Sequence, residues 1–525
     1  MAVSSILNDV IGPVMRGPSS SHTAAACRIG LLARDLIAEN IKEVIIDYDP
    51  SGSLVTTHES HGSDLGLYSG LLGWSMDDER MLNYREGLKE AGIKIKVNYI
   101  SYGAKHPNTY RMKISNSEIS HTLTAISTGG GAIEIIEIDG AEVSINGDFH
   151  ELLIYTENPE EVQTSLPSSL EYDFIFYRKG RRNFIEVKSH RPLTKEELKK
   201  IKSIPAVMFI RYLKPVLPVL SRKDISVPFL YCSEMLKYAK DKKLSNIWEL
   251  AVAYESERGG ISEKEVMEKM REIVRIMKRS IKVGLKGTHY EDRILPAQSP
   301  GFKEKMEANA LLDAGMLNTM ILYTTAMMEV KSSMGVIVAA PTAGACGTLP
   351  GAILGAVDWM GKSEDEAVKA MLAAGIIGIF ISEHATFSAE VGGCQAETGA
   401  ASTMAAAGLA YLAGGNLQQC VNAASFALQN ELGLICDPIA NRVEAPCLGR
   451  NIMGASNALA SANMALANYD PIVPLDEVVE TMLKVGRCLP HELRCTGLGG
   501  LSITPSSKAV ERRLKKKLIQ KTEKQ

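Results

Sequence analysis

Charge is nearly absent from one long stretch of this 525-residue chain. Between Lys331 and Asp470 only 16 of 140 residues are charged, about half the chain-wide share of 23%, and Thr398 to Asn430 carries none in 33. Such a run has to be buried somewhere. A membrane is a poor place for it, because Gly414-Gly415-Asn416, Gln418-Gln419 and Asn422 bring amides that lipid leaves without partners. The apolar segment 370–382 also falls short of the ~20 residues that a bilayer crossing needs. Small-residue helices packed tightly in a protein interior are the expected outcome.

The rest of the composition agrees. With 45% apolar residues the chain has ample core material, and its length suggests roughly three domains. Lys+Arg 58 against Asp+Glu 61 leaves a net charge of −3, which gives no electrostatic reason to coat nucleic acid or an anionic membrane. The start, MAVSSILNDVIG, lacks the basic and apolar blocks of a secretory signal. A cytoplasmic setting is therefore expected, with the 9 cysteines reduced. An odd number without regular spacing does not suggest a disulfide framework.

Hydrophobic periodicity predicts a multidomain chain. Residues 1–147 read as an α/β domain, with a helix over 24–39 and strands over 43–48, 94–101 and 133–138. Residues 148–222 read strand (151–155), helix (159–166), strand (172–178), strand (183–188), helix (194–201) and strand (207–212). That order is the β-α-β-β-α-β, ferredoxin-like arrangement of a small α+β module. Residues 223–525 read as an all-α domain, with charged amphipathic helices first and Ala/Gly-rich buried ones afterwards.

Four places concentrate chemistry. Gly17-Pro-Ser-Ser-Ser-His-Thr23 stands just before the first helix, where hydroxyls and free N–H groups make a carboxylate receptor; an N-cap with spare serines explains it equally well. Thr57-His-Glu-Ser-His-Gly-Ser-Asp64 offers two histidines and two carboxylates beside glycine, either an acid–base site or a surface loop. Thr128-Gly-Gly-Gly131 is a backbone anion cradle or a tight turn. Finally, Cys394, Cys436 and Cys447 each have Gly or Pro within two residues and a polar residue nearby. Their spacings of 42 and 11 include no C-x-x-C pair, so zinc-ribbon and ferredoxin patterns are absent and buried inert thiols remain an alternative. Cys420, in a helical run, reads as a core filler.

Taken in order, Gly17-Pro-Ser-Ser-Ser-His-Thr23, His61-Gly-Ser-Asp64, His106-Pro-Asn-Thr109, Thr128-Gly-Gly-Gly-Ala-Ile-Glu134, Ser333-Met-Gly335, Pro341-Thr-Ala-Gly344, Gly393-Cys-Gln-Ala-Glu397, Cys436-Asp-Pro438, Pro446-Cys447 and Arg450-Asn451 resemble the iron–sulfur L-serine dehydratases. The resemblance covers nearly the whole chain, with the family's β portion fused ahead of its α portion. It implies deamination of L-serine to pyruvate and ammonia, a step in amino-acid degradation that feeds gluconeogenesis. It further implies a [4Fe–4S] cluster held by Cys394, Cys436 and Cys447, leaving one iron open as a Lewis acid for the substrate hydroxyl. By the same resemblance His61 takes the α-proton. Ser19, Ser20, Ser21, His22, Thr23, Ser63 and Asp64 grip the substrate, with Thr128 and Gly129 assisting. The middle module resembles ACT regulatory domains, with a purely structural connector as the alternative, and a homo-oligomer, a dimer first of all, is expected.

Departures bear on the substrate. Ser60 stands where the family has Gly, and Asn441-Arg442 replaces a small or apolar pair. Cys495 occupies a position that is more often acidic. Threonine, cysteine or another small β-substituted acid therefore stays open beside serine. Some members end in a cysteine that caps the open iron; with Gln525 last here, that self-inhibition is not expected, and Cys346, Cys488 and Cys495 are possible substitutes or inert thiols. Two other readings are a pyridoxal-phosphate lyase, for which Lys282 or Lys331 lacks a supporting motif, and a non-catalytic amino-acid sensor.

Overall fold

The computed structural model describes residues 3–17, 19–38, 40–59, 62–290 and 293–522. The chain divides into two compact units, residues 19–225 and residues 226–525, the second joined by the first 18 residues.

In the first unit, strands β1 (Glu43–Tyr48), β2 (Lys94–Tyr99), β3 (Thr109–Ser115), β4 (Ser120–Gly129), β5 (Ala132–Ile138) and β6 (Ala141–Ile145) form one sheet in the order β2-β1-β3-β4-β5-β6. Only β1 and β2 run parallel. Alternation makes the sheet one-sided: His121, Leu123, Ala125 and Ser127 of β4 are buried while their neighbours are not. Against the buried face lies helix α1 (Ala25–Ile37), which contributes Ile29, Leu32, Ala33 and Leu36.

Helix α2 (Ser63–Leu72) crosses α1 with backbone on backbone. A Cβ on Gly66 would stand 2.1 Å from the Thr23 carbonyl oxygen, and one on Gly70 2.3 Å from that of Cys27. Hydrogen there is what lets the two helices touch. Replacing either by Ala forces an overpacking cost of about 1–3 kcal/mol.

A second sheet in the same unit contains β7 (His150–Tyr155), β8 (Phe174–Arg178), β9 (Phe184–Ser189) and β10 (Phe209–Leu213), ordered β10-β7-β9-β8 and antiparallel throughout. Helices Pro159–Ser165 and Lys195–Lys202 connect its strands, and the second begins with a capping box between Thr194 and Glu197. Leu152 and Ile154 of β7 face these helices. Leu153 and Tyr155, on the opposite face, join the core of the larger sheet.

The second unit is mostly helical. Helix α3 (Glu364–His384) is the only described helix long and apolar enough to cross a membrane, yet 78% of its apolar window is buried inside the protein. Around it pack Ile247–Gly259, Glu263–Leu285 and α4 (Thr398–Leu412), the last buried along nearly its whole length. A Cβ on Gly408 of α4 would meet the Ala370 carbonyl at 2.9 Å, so small residues bring these helices together.

Helices throughout were expected here, but Val336–Val338 is a strand. Its partner is Val14–Arg16, paired antiparallel. The β-branched run between Gly335 and Ala339 suits a pleated ribbon, and the early segment supplies the missing hydrogen bonds. That segment is anchored further by Ile6, Leu7, Val10 and Ile11, all buried, and by Glu255, which accepts from the Ile6 N–H at 2.8 Å and from the Ser5 hydroxyl. Residues 3–17, which read from sequence as part of the α/β region, therefore lie with the helical unit.

Candidate functional site

The sequence-predicted residues form one cluster in each unit. In the helical unit three segments deliver the cysteines. Cys394 opens a single helical turn just before α4, and its Sγ lies 3.3 Å from Thr398 Oγ1. The preceding Gly393 has φ +73, and a Cβ there would meet the Leu434 carbonyl at 2.7 Å, so only glycine lets the chain enter this turn. Cys436 sits in a loop bridged to Arg494: its N–H donates to the Leu493 carbonyl, and its own carbonyl accepts from the Cys495 N–H, both at 2.8 Å. Cys447 starts helix α5 (Cys447–Leu466).

All three thiols are buried, with 4%, 4% and 7% of their residues exposed. Cys394 and Cys436 share one apolar cluster, against which Cys495 packs. Cys447 is close enough for its charge to act on Cys394. Burial, reinforced by the charge of Glu397, pushes the Cys447 thiol up to about 12 even though Lys331 and Arg450 pull it down. Burial likewise raises Cys394, with the charges of Glu397 and Cys447 adding. Cys436 is raised first by its hydrogen bond with the Cys495 side chain and then by burial. Buried thiols of this kind release their protons only to a strong local positive charge, which a metal centre provides.

Polar side chains fix the frame. Arg450 Nη2 pairs with Asp437 Oδ1 at 2.6 Å, while Asp437 Oδ2 accepts from the Leu501 N–H at 2.7 Å. Asn451 is fully buried. Its Oδ1 accepts from the N–H groups of Gly347 and Thr348, at 3.2 and 3.0 Å, and its Nδ2 donates to the carbonyls of Gly344 and Cys447, each at 2.9 Å. One amide thus caps helix α6 (Thr348–Trp359) and ties the Pro341-Thr-Ala-Gly344 loop to Cys447. Lys331, fully buried, donates to the Val443 carbonyl. Glu397 accepts from Thr342 Oγ1 at 2.7 Å, and burial lifts its carboxyl to about 7. Asp437, Thr342, Glu397, Arg450 and Asn451 all stand in the motifs read from the sequence, whereas the contact of Lys331 with Val443 carried no sequence signal.

Among the described residues, no three His, Cys, Asp or Glu side chains close on a single metal ion. A cubane asks for something else, one thiolate per iron at separate corners. Three buried thiols from three segments, with Arg450 beside two of them, are a donor set of that chemistry. Cys420 is elsewhere, directed at the Gly415 carbonyl, as a core filler would be. Cys346 is buried against Met328, and Cys488 is exposed.

In the α/β unit the second cluster surrounds the start of α1. Ser20–Ala24 forms a wide helical turn, with Ser19 Oγ 3.0 Å from His22 Nδ1 and Thr23 completely buried. A Cβ on Gly62 would stand 2.5 Å from Thr23 Oγ1, so the loop ahead of α2 presses on this turn. Arg28 of α1 donates to the Gly131 carbonyl at 2.6 Å and so brings in the glycine turn. In that turn Thr128 is exposed, and Gly129 and Gly130 have positive φ with open space where a Cβ would stand.

Ser63 is buried and receives a hydrogen bond from Tyr110 at 3.2 Å. Asp64 pairs with His58 Nδ1 at 2.9 Å, and His58 Nε2 contacts Tyr99 Oη at 2.9 Å. Burial opposes charge on His58, but the hydrogen bond and charge of Asp64, helped by Glu59, outweigh it and raise the ring's pKa. His58, Asp64, Tyr68, Tyr84, Arg85 and Tyr99 border an open cavity of about 650 Å³. His61 and the Ser21 side chain lie outside the described residues.

Comparison with known proteins decides the family. A model of the serine dehydratase alpha chain matches residues 242–502. The probable L-serine dehydratase alpha chain of Bacillus subtilis is 33% identical over 286 residues, 54% of this chain and 95% of that protein. The chain belongs to the L-serine dehydratase family. The alpha chain of Peptoniphilus asaccharolyticus L-serine dehydratase is 36% identical over 270 residues, 51% of this chain and 91% of its own. The L-serine dehydratase of Haemophilus influenzae is 28% identical over 507 residues, 93% of this chain and 96% of its own, so the alignment runs through the α/β unit too. This is a lyase with the family's β and α portions fused in one chain.

Proposed function

We propose that this L-serine dehydratase works with a [4Fe–4S] cluster held by Cys394, Cys436 and Cys447, and with His61 as the base. The observation that carries the reading is the gathering of three buried thiols from three separate segments beside Arg450. When bound, such a cluster supplies a Lewis acid that eases departure of the substrate hydroxyl.

The chain's own residues do the rest. The three sulfurs bind as thiolates, and Arg450 and Lys331 offset their charge. Ser19, Ser20, Ser21 and His22 bind the substrate carboxylate and amino group through hydroxyls and N–H groups at the start of α1, with Thr128 and Gly129 beside them. Buried Thr23 and Ser63 act by positioning their loops. The His58–Asp64 pair joins the described residues on either side of position 61, and an imidazole nitrogen of His61 accepts the α-proton. The enamine that leaves tautomerises and hydrolyses to pyruvate and ammonia. The β10-β7-β9-β8 module is a ferredoxin-like, ACT-like regulatory element; its strand order and its two connecting helices support that reading.

The test is a keto-acid assay on anaerobically purified enzyme across serine, threonine and cysteine, repeated after exposure to air. Serine should be deaminated, and air should abolish turnover together with the iron–sulfur absorbance. Full pyruvate formation after complete bleaching would overturn the cluster assignment. A His61→Ala enzyme that keeps its iron and its rate would overturn the choice of base.

A further inference from the structure

Cys495 is tied to Cys436 through both backbone and side chain. The Cys495 N–H donates to the Cys436 carbonyl at 2.8 Å, which holds the two Cα atoms within about 7 Å of each other. Their side chains pack in one apolar cluster. Farther along the same two segments, Asp437 accepts from Leu501 and the Ser502 hydroxyl donates to the Pro438 carbonyl at 2.8 Å, so both segments are stitched past the cysteines. Cys495 itself has φ +60, a conformation that non-glycine residues adopt rarely and that this bridge maintains. Disulfides span Cα separations of about 4.4–6.8 Å, so closing one asks for little backbone movement.

We infer that Cys436 and Cys495 form a reversible disulfide when the protein carries no cluster, making this pair a site of oxidative modification. Cys495 is half-buried and Cys436 is nearly fully buried, which orders the steps. The oxidant is a low-molecular-weight disulfide of the glutathione type. Cys495 Sγ attacks one of its sulfurs, the oxidant's S–S bond breaks, and one small thiol leaves with the Cys495 proton. Cys436 Sγ then attacks Cys495 Sγ in the mixed disulfide, the protein S–S bond forms, and the second small thiol leaves with the Cys436 proton. Two protein thiols are oxidised and one small disulfide is reduced to two thiols. Because Cys436 is a proposed cluster ligand, the bond also bars cluster assembly until it is reduced; that consequence, unlike the pairing, rests on the function proposed above.

Cluster-free full-length protein would be incubated with oxidised glutathione, its remaining thiols blocked with iodoacetamide, and its digest examined by mass spectrometry. The expected product is a peptide pair linked through Cys436 and Cys495, lost on reduction, absent from Cys495→Ser and retained in Cys488→Ser. Complete alkylation of Cys436 after oxidation, or a link predominantly to Cys394 or Cys447, would overturn the pairing. Iron uptake separates the two claims: the oxidised wild type should lose uptake until it is reduced, whereas Cys495→Ser should need no reductant. A linked protein that still loads iron fully would keep the pairing and remove Cys436 from the ligand set.

Discussion

Replacing Asn451 by Ala tests how the cysteine frame is held. The side chain is fully buried, and its amide serves two N–H groups at the start of α6 and two carbonyls, one of them that of Cys447. Truncation takes a partner from each of these groups in a site closed to bulk water. The Thr348 N–H keeps the Ala345 carbonyl at 3.1 Å, whereas the Gly347 N–H and the Gly344 carbonyl lose their side-chain partner. A buried group left unsatisfied costs about 1–3 kcal/mol, and partial relaxation keeps several from adding fully. A loss of about 3 kcal/mol is therefore expected, a large share of the 5–15 kcal/mol typical of a folded domain. Asn451→Asp should be no milder, since a carboxylate oxygen would face the carbonyls of Gly344 and Cys447. Urea unfolding of anaerobic protein gives the magnitude, and the rate of iron loss to a chelator reports on Cys447. A loss below about 0.5 kcal/mol with unchanged iron retention would refute the reasoning, because it lies within the range of ordinary surface substitutions.

Other outcomes follow from particular groups. Cys394→Ala and Cys447→Ala should each abolish bound iron and pyruvate formation, while Cys420→Ala should keep both, as read by iron content and the keto-acid assay. Burial raises the Glu431 carboxyl to about 7 against hydrogen bonds from Ser402 and Asn457. Its proton is thus held more tightly in the folded state, so the contribution of Glu431 to stability is greatest below pH 4.5 and falls by about 3 kcal/mol as pH rises to 7. Glu431→Gln should remove that slope and unfold at higher urea than wild type at pH 8. His58 is also raised, so its pairing with Asp64 stabilises the fold below about pH 6.5 and is lost as pH rises through the folded value. His58→Gln should accordingly lower the melting temperature more at pH 6 than at pH 9. Gly66→Ala should destabilise the α/β unit by about 1–3 kcal/mol, seen as an earlier urea transition, through its clash with the Thr23 carbonyl.

Sequence pattern locates β1, β2, β5 and β7 to β10 to within two residues and omits β3, β4 and β6. The short runs of β7 to β10 leave little freedom in which face is buried. The charge-poor stretch correctly announced helices packed through glycine and alanine. What pattern could not supply was long-range pairing. Val14–Arg16 and Val336–Val338 are both too short to announce a ribbon, and nothing local says that they meet. The same holds at the site. Cys495 reads as an isolated thiol until the loop that follows Pro490 is folded back on Cys436. Thr23 and Ser63 look like free hydroxyls in the sequence, whereas close approach by Gly62 and a bond from Tyr110 place both in the interior. Asn451 belongs to a recognisable motif, but its work as a joint between α6 and Cys447 depends on side-chain geometry alone.

The most direct measurement is acid-labile sulfide and iron in anaerobically reconstituted wild type and Cys436→Ala, taken alongside turnover. The account predicts about four of each per wild-type chain, and a variant that has lost both the cluster and the production of pyruvate. A Cys436→Ala protein with a full complement of iron and sulfide and an undiminished rate would contradict it.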